Sequence, residues 1–185
     1  TTDLLGFEDL HYNVVYAQMK RGKTERTVAY SISALATTLM KFAADCCLFM
    51  SQNFNFIELP EEFTTGSSIM PHKKNPDVFE LMRGKCNKLQ AIPGELAAIM
   101  GNLTSGYFRD LQLLKEKYIY AFKEIKSCLE IALLMVPNIS IKPGILNNNI
   151  YDYLFSVEEV NRRVLEGIPF REAYQLVGRI VKSCL

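Results

Sequence analysis

The chain has 185 residues, of which 49% are hydrophobic and 22% charged, and its formal net charge at pH 7 is +1. That is ample apolar material for a packed core, and so even a charge balance sets up no strong field to steer nucleic acid or an anionic membrane. The longest apolar stretch, around Ile131 to Val136, is far too short to span a bilayer, and the first residues lack the basic-then-apolar pattern of a secretory signal. The composition fits a soluble enzyme of the cytoplasm.

Three long segments carry apolar residues at alternating spacings of four and three. The first runs Val28, Ile32, Leu35, Leu39, Phe42, Cys46, Phe49. The second runs Met82, Cys86, Leu89, Pro93, Leu96, Met100, Leu103, and the third Leu111, Leu114, Tyr118, Ala121, Ile125, Cys128, Ala132, Met135. Each spacing predicts a helix with a heptad seam, on the order of 40 Å long at about 1.5 Å per residue. Asn53 to Pro60 mixes asparagines with aromatics and ends the first helix. Pro93-Gly94 is expected to kink or split the second. Thr104-Ser105-Gly106 separates the second from the third, which stops at Pro137-Asn138. After Pro143-Gly144, Ser156 with Glu159 reads as a capping box opening a helix to about Glu166. Pro169 then sits where a first-turn proline is tolerated, and a last helix runs to the chain end. Strand signals are nearly absent. The expected class is therefore all-α, with a bundle over residues 1–137 and a small, incomplete helical cap over 138–185.

The third helix is apolar beyond its seam, at Ile119, Phe122, Leu129, Leu133 and Val136. So wide a stripe must be covered on more than one side, and the expectation is that further subunits cover it. Five cysteines are present, Cys46, Cys47, Cys86, Cys128 and Cys184. The odd count and scattered positions give neither a disulfide framework nor zinc spacing. Buried free thiols in a reducing compartment are expected.

The richest chemistry lies in one loop, Gly66-Ser67-Ser68-Ile69-Met70-Pro71-His72-Lys73-Lys74-Asn75-Pro76. A serine is a poor base at neutral pH and works as one only where its alkoxide is stabilised. Gly66 permits backbone geometries in which amide N–H groups converge on an anion. Lys73 and Lys74 bring positive charge and Asn75 a neutral donor. This set suits removal of a proton from carbon beside a carboxylate, because the resulting enediolate needs preorganised donors and a cation. Ser67 or Ser68 is the candidate base, with Lys73 and Asn75 as the charge clamp. The plainer alternative is a lysine-rich surface loop with Asn75-Pro76 as punctuation. For Gly106-Tyr107-Phe108-Arg109-Asp110-Leu111-Gln112-Leu113-Leu114-Lys115, the plain reading is a helix start, with Asp110 and Glu116 near its positive end. Gln112 and Lys115, three apart, would be neighbours on one helical face and could both donate to a carboxylate.

The loop resembles the signature of the fumarase/aspartase superfamily, whose members eliminate fumarate from succinyl compounds. The Tyr107–Lys115 segment is similar to the Tyr-x-x-Asp-Leu-Gln-x-x-Lys stretch of the argininosuccinate lyases. Gly167-Ile168-Pro169-Phe170-Arg171-Glu172-Ala173, with Val177-Gly178 after it, resembles a later helix start of the same family. The resemblance implies the long-helix bundle of that superfamily, with Ser67 as catalytic base. It places Lys73 and Asn75 on the substrate carboxylate, with Ser68 beside them, and assigns Tyr107, Gln112 and Lys115 to substrate binding. Departures are His72, where argininosuccinate lyases more often have glutamine and adenylosuccinate lyases often histidine, and Phe108, Leu113 and Leu114 in place of polar or acidic residues.

The activity implied is anti elimination of fumarate from argininosuccinate, releasing arginine, as in arginine biosynthesis. It needs no cofactor or metal, because the carboxylate is the electron sink. The resemblance also implies a homotetramer with sites built from three subunits, a small-molecule substrate, and no nucleic-acid or membrane partner. Family members are more than twice this length, and their histidine-bearing segment has no match here. His11 is expected on a helix face beside Tyr12, and His72 in the loop near the substrate. This stretch alone is expected to be nearly inactive, with the loop over Thr64 to Asn75 mobile until ligand binds. Two rivals are another fumarate-releasing lyase, chiefly adenylosuccinate lyase, and a silent helical oligomer that keeps only the fold.

Overall fold

Lys23 to Phe49 is a run without proline or glycine, and it forms the longest helix of a computed structural model that describes residues 1–70 and 72–183. Pro71 of the loop, and Cys184 and Leu185 at the expected end of the last helix, lie outside the described residues. In chain order the helices are α1 (Val14–Met19), α2 (Lys23–Phe49), α3 (Asp77–Met100), α4 (Leu114–Met135), α5 (Ser156–Leu165) and α6 (Phe170–Ser183). Strand among the described residues is confined to the two-residue pieces Ile57–Glu58 and Ser140–Ile141. The all-α expectation holds. The chain divides into two compact units, Thr1–Ser140 and Ile141–Leu185.

In the first unit α2, α3 and α4 pack on one another in turn. The buried stripe of α2 is Ala29, Ile32, Ala36, Leu39, Ala43 and Cys46. The expected seam holds at Ile32, Leu39 and Cys46 but is wrong between them. Alanines one residue after Val28, Leu35 and Phe42 take the inner positions, and Leu35 faces out. Small side chains are favoured there because they let α2 lie close against α3, whose inner face is bulky: Phe79, Met82, Leu89, Ile92 and Leu96. Phe79 is fully buried with its edge against Phe42, ring centroids 5.7 Å apart. The third seam is buried at Leu111, Leu114, Ala121, Ile125, Cys128, Ala132 and Met135.

α3 neither breaks nor splits at Pro93-Gly94. A proline inside a helix removes one backbone donor and costs about 3 kcal/mol. Here Pro93 is itself buried among Leu89, Ile92 and Leu96, so the packing of that face offsets the lost bond. Polar side chains then fix α4 against α3. Lys85 Nζ lies 2.6 Å from Glu124, and Lys117 Nζ 3.2 Å from Glu95. Tyr120 donates to the same Glu124 and accepts from Lys88 Nζ at 3.2 Å. Lys85 and Tyr120 together hold the Glu124 carboxyl below its ordinary pKa. Pairs 85–124 and 95–117 run in opposite order, so α3 and α4 are antiparallel.

α2 is long and apolar enough to cross a membrane by length and composition, which corrects the view that no such segment exists. Such a helix is equally what a bundle core uses, and its inner stripe is buried here against α3. His11 is not on a helix face. It lies in the irregular segment before α1, edge-to-face with Tyr16 at 4.8 Å between ring centroids. In α4 the second apolar side is uncovered at Ile119, Phe122, Leu133 and Val136, while Leu129 packs partly on the core.

In the second unit α5 and α6 bury Val160, Ala173 and Val177 between them. Ser156 begins α5 without making a side-chain cap. The expected capping box does not form because Glu159 turns to Arg162 and Arg163, at 2.7 and 2.9 Å. Those guanidinium groups bring its carboxyl down to about 2.

Cys46, Cys47, Cys86 and Cys128 are free, as expected. Burial pushes the Cys46 thiol up to about 11 and the Cys86 thiol up to about 12. A thiol whose folded pKa is raised stabilises the fold fully below its unfolded value near 9 and loses that contribution as pH climbs toward the folded value. At pH 8 both thiols should resist Ellman's reagent until the protein is denatured, and the melting midpoint should fall as pH rises from 9 to 11. Replacing Phe79 by alanine removes a fully buried ring and should lower stability by about 3–5 kcal/mol, read from the shift of the urea midpoint.

Candidate active site

The signature loop is pinched shut at its neck. Thr65 and Asn75 pair as an isolated antiparallel bridge, Asn75 N–H donating to the Thr65 carbonyl at 2.8 Å and Thr65 N–H returning to Asn75 at 3.2 Å. The Thr65 hydroxyl donates to Asp77, the first residue of α3. The loop is thereby fastened to the end of the bundle by residues that flank the expected site. Thr65 and Asp77 belong to the flanks of the loop that fit the family resemblance, and the structure adds the bond between them.

Inside the neck, Ser67 is half-buried and its Oγ accepts from the backbone N–H groups of both Ile69 and Met70, each at 3.2 Å. Two amides aimed at one hydroxyl oxygen favour its ionised form. Ser68 is exposed and lacks this cradle. Lys73 closes a turn through its N–H to the Met70 carbonyl at 3.1 Å. Its ammonium is exposed, and among the described residues no carboxylate pairs with it. Lys74 differs, since its Nζ lies 3.1 Å from Glu61. Of the two lysines, Lys73 is the one free to meet an anion. Asn75 is half-buried at the neck, on the same short stretch as Lys73.

Tyr107, Gln112 and Lys115 form a second group. Tyr107 is 50% exposed. Its hydroxyl is held below the ordinary tyrosine pKa by hydrogen bonds, first from Gln112 and then from Arg21. The Arg21 guanidinium carbon also stands 5.0 Å from the Tyr107 ring centroid. Arg21 was not foreseen, because it is 86 residues earlier in the chain and carries no motif. Gln112 and Lys115 are both exposed, while Leu111 and Leu114 are both buried. Arg109–Gln112 is a 3-10 turn, and α4 starts only at Leu114. From that turn Gln112 hydrogen-bonds to Tyr107.

The two groups do not meet within the chain. The loop precedes the start of α3, and the Tyr107 group follows its end. α3 has 24 residues, which at about 1.5 Å each separate its ends by roughly 36 Å.

A lyase family profile matches residues 17–91. The argininosuccinate lyase of Parabacteroides distasonis is 62% identical over 183 residues, or 99% of this chain and 41% of the relative. That of Phocaeicola vulgatus is 61% identical over the same span. In fold, the chain resembles the crystal structure of class II fumarase from Schistosoma mansoni with TM-score 0.70 at 17% identity, over 86% of this chain and 32% of that one. The chain belongs to the fumarase/aspartase superfamily of lyases. It spans about two-fifths of the length of the curated relatives it matches. The relatives it matches at 61–62% identity are named argininosuccinate lyases.

Loosening the neck should be visible without any substrate. Replacing Thr65 by valine removes its bond to Asp77, and tryptic cleavage after Lys73 and Lys74 should become several-fold faster. An unchanged cleavage rate would show that the backbone bridge alone fastens the loop.

Proposed function

We propose that the protein to which this chain belongs cleaves argininosuccinate to arginine and fumarate, with this chain supplying the base and the carboxylate clamp. The observation that carries the reading is the cradle of the Ser67 hydroxyl, two backbone N–H groups converging on one oxygen. Its support is the identity of 62% to a relative named argininosuccinate lyase.

In this reading the Ser67 oxygen, ionised in its cradle, takes a proton from the methylene of the succinyl moiety. Lys73 and Asn75 hold the carboxylate as its charge builds to the enediolate. The electrons return to form the carbon–carbon double bond of fumarate, and the carbon–nitrogen bond breaks on the opposite face. The departing nitrogen takes a proton from a group outside this chain. Ser68 stands beside the base, and Tyr107, Gln112 and Lys115 hold the substrate away from the reacting carbons.

Separation of the two groups by the length of α3 favours sites completed by other copies. The uncovered apolar side of α4, at Ile119, Phe122, Leu133 and Val136, gives those copies a surface to pack on. We therefore read the working form as a homotetramer. A cytoplasmic setting is supported by its four free cysteines among the described residues. The chain alone should be nearly inactive.

The test is Ser67→Ala in the full-length protein, following fumarate formation from argininosuccinate. A fall of at least about a thousandfold is expected, the scale of losing a principal catalytic group. Activity kept within about tenfold would exclude Ser67 as the base.

A further inference from the structure

Arg21 is unusually placed for a surface cation. It sits in the turn between α1 and α2, and the backbone there is fixed tightly. Gly22 has φ +83°, a conformation that favours glycine, and a Cβ at that position would lie 2.6 Å from Met100 Sδ. The Gly22 N–H is held by Glu25 at 2.9 Å. The head of α2 is thus set against the tail of α3, and Arg21 is delivered to the loop that follows α3. There it lines an open cleft of about 200 Å³ with Thr104, Ser105, Gly106, Phe108 and Leu111.

Arg21 is the charged side chain of this lining. Arg21 is half-buried, and among the described residues no carboxylate pairs with it. One partner is the Tyr107 hydroxyl, which also receives Gln112. A hydroxyl oxygen that accepts from two side chains keeps its own proton to donate elsewhere. Arg21 likewise has further N–H groups in its planar fork beyond the one used on Tyr107. The Arg21 guanidinium at the cleft and the Tyr107 phenol beside it hold spare donors next to each other, which suits a carboxylate.

We propose that Arg21 is a substrate-binding residue, which with the Tyr107 hydroxyl takes a carboxylate of argininosuccinate that does not react. This rests on the proposed lyase function. The reacting carboxylate belongs to Lys73 and Asn75, supplied in the proposed assembly by another copy's loop, so the Arg21 cleft serves one of the remaining ones.

The experiment uses the full-length protein and the variants Arg21→Gln, Arg21→Lys and Tyr107→Phe. Two quantities are read: kcat and KM for fumarate formation from argininosuccinate, and the affinities for succinate and for arginine by calorimetry, which need no turnover. Arg21→Gln should raise KM at least tenfold with a smaller change in kcat, and should weaken one of the two probes by a similar factor. The probe that weakens identifies the carboxylate concerned. Arg21→Lys keeps the charge without the fork and should fall between wild type and Arg21→Gln. It also serves should Arg21→Gln lose helicity. Tyr107→Phe should weaken the same probe as Arg21→Gln. Wild-type KM and wild-type affinity for both probes in Arg21→Gln would overturn the proposal while leaving the lyase function intact. Wild-type protein that forms no fumarate from argininosuccinate would overturn the lyase function, and Arg21 would then stand or fall on the two titrations. If the wild type binds neither probe and forms no fumarate, both fail.

Discussion

An unbroken α3 is the constraint from which the arrangement of chemistry follows. This helix carries the signature loop at its start and the Tyr107 group beyond its end, and its rigidity keeps them apart. A hinge at Pro93 would have let the two ends fold toward one another. The ring is instead buried with Leu89, Ile92 and Leu96, and a proline held in a close-packed face has no room to hinge. α4 adds a second restraint, since Lys85–Glu124 and Glu95–Lys117 fasten it on either side of Pro93's turn. Exposed ion pairs of this kind are individually weak, and the Lys85–Glu124–Tyr120 group gains from being a network on one interface.

Much of this was legible in the sequence. The presence and approximate limits of α2 to α6 and the inner faces of α3 and α4 follow from the spacing of large apolar residues, because those residues are the ones that must leave water, while α1, with six residues, is too short to show a repeat. The α2 seam was misread for the converse reason. Alanine carries little hydrophobic signal, yet Ala29, Ala36 and Ala43 hold the inner positions because of what they allow a neighbour to do. A one-dimensional pattern records the size of a side chain and not the size of the space opposite it. The capping box at Ser156 failed similarly, since Glu159 had stronger partners in Arg162 and Arg163.

The site divides along the same line. Ser67, Lys73 and Asn75 lie within nine residues, so their shared loop was evident from the chain itself. What the sequence did not reveal was why Lys73 and not Lys74 should meet an anion. The answer is Glu61, thirteen residues upstream of Lys74, which pairs with the second lysine and leaves the first without a carboxylate. Arg21 was invisible for a related reason. Its significance comes from Tyr107, and only the packing of the head of α2 on the tail of α3 brings the two together. Contacts that depend on helix ends meeting cannot be read from periodicity, which describes what happens along a helix and not where it stops.

The separation imposed by α3 also bears on why so much apolar surface stays in water. Ile119, Phe122 and Leu133 on one side of α4, with Val136 just past its end, stay exposed. For a helix whose only task was to close its own bundle, such a face would be a liability. It makes sense if bundle and site are completed by the same event. In the proposed tetramer, copies that cover the α4 face would bring further chain ends together, and a signature loop from one would stand opposite a Tyr107 group from another. Hydrophobic association and catalytic competence would then share one equilibrium. A polar substitution on α4 far from either group would lower activity through assembly alone, and raising the protein concentration would restore it. Loss of the base itself would not be restored that way, and this difference separates the two causes of an inactive enzyme.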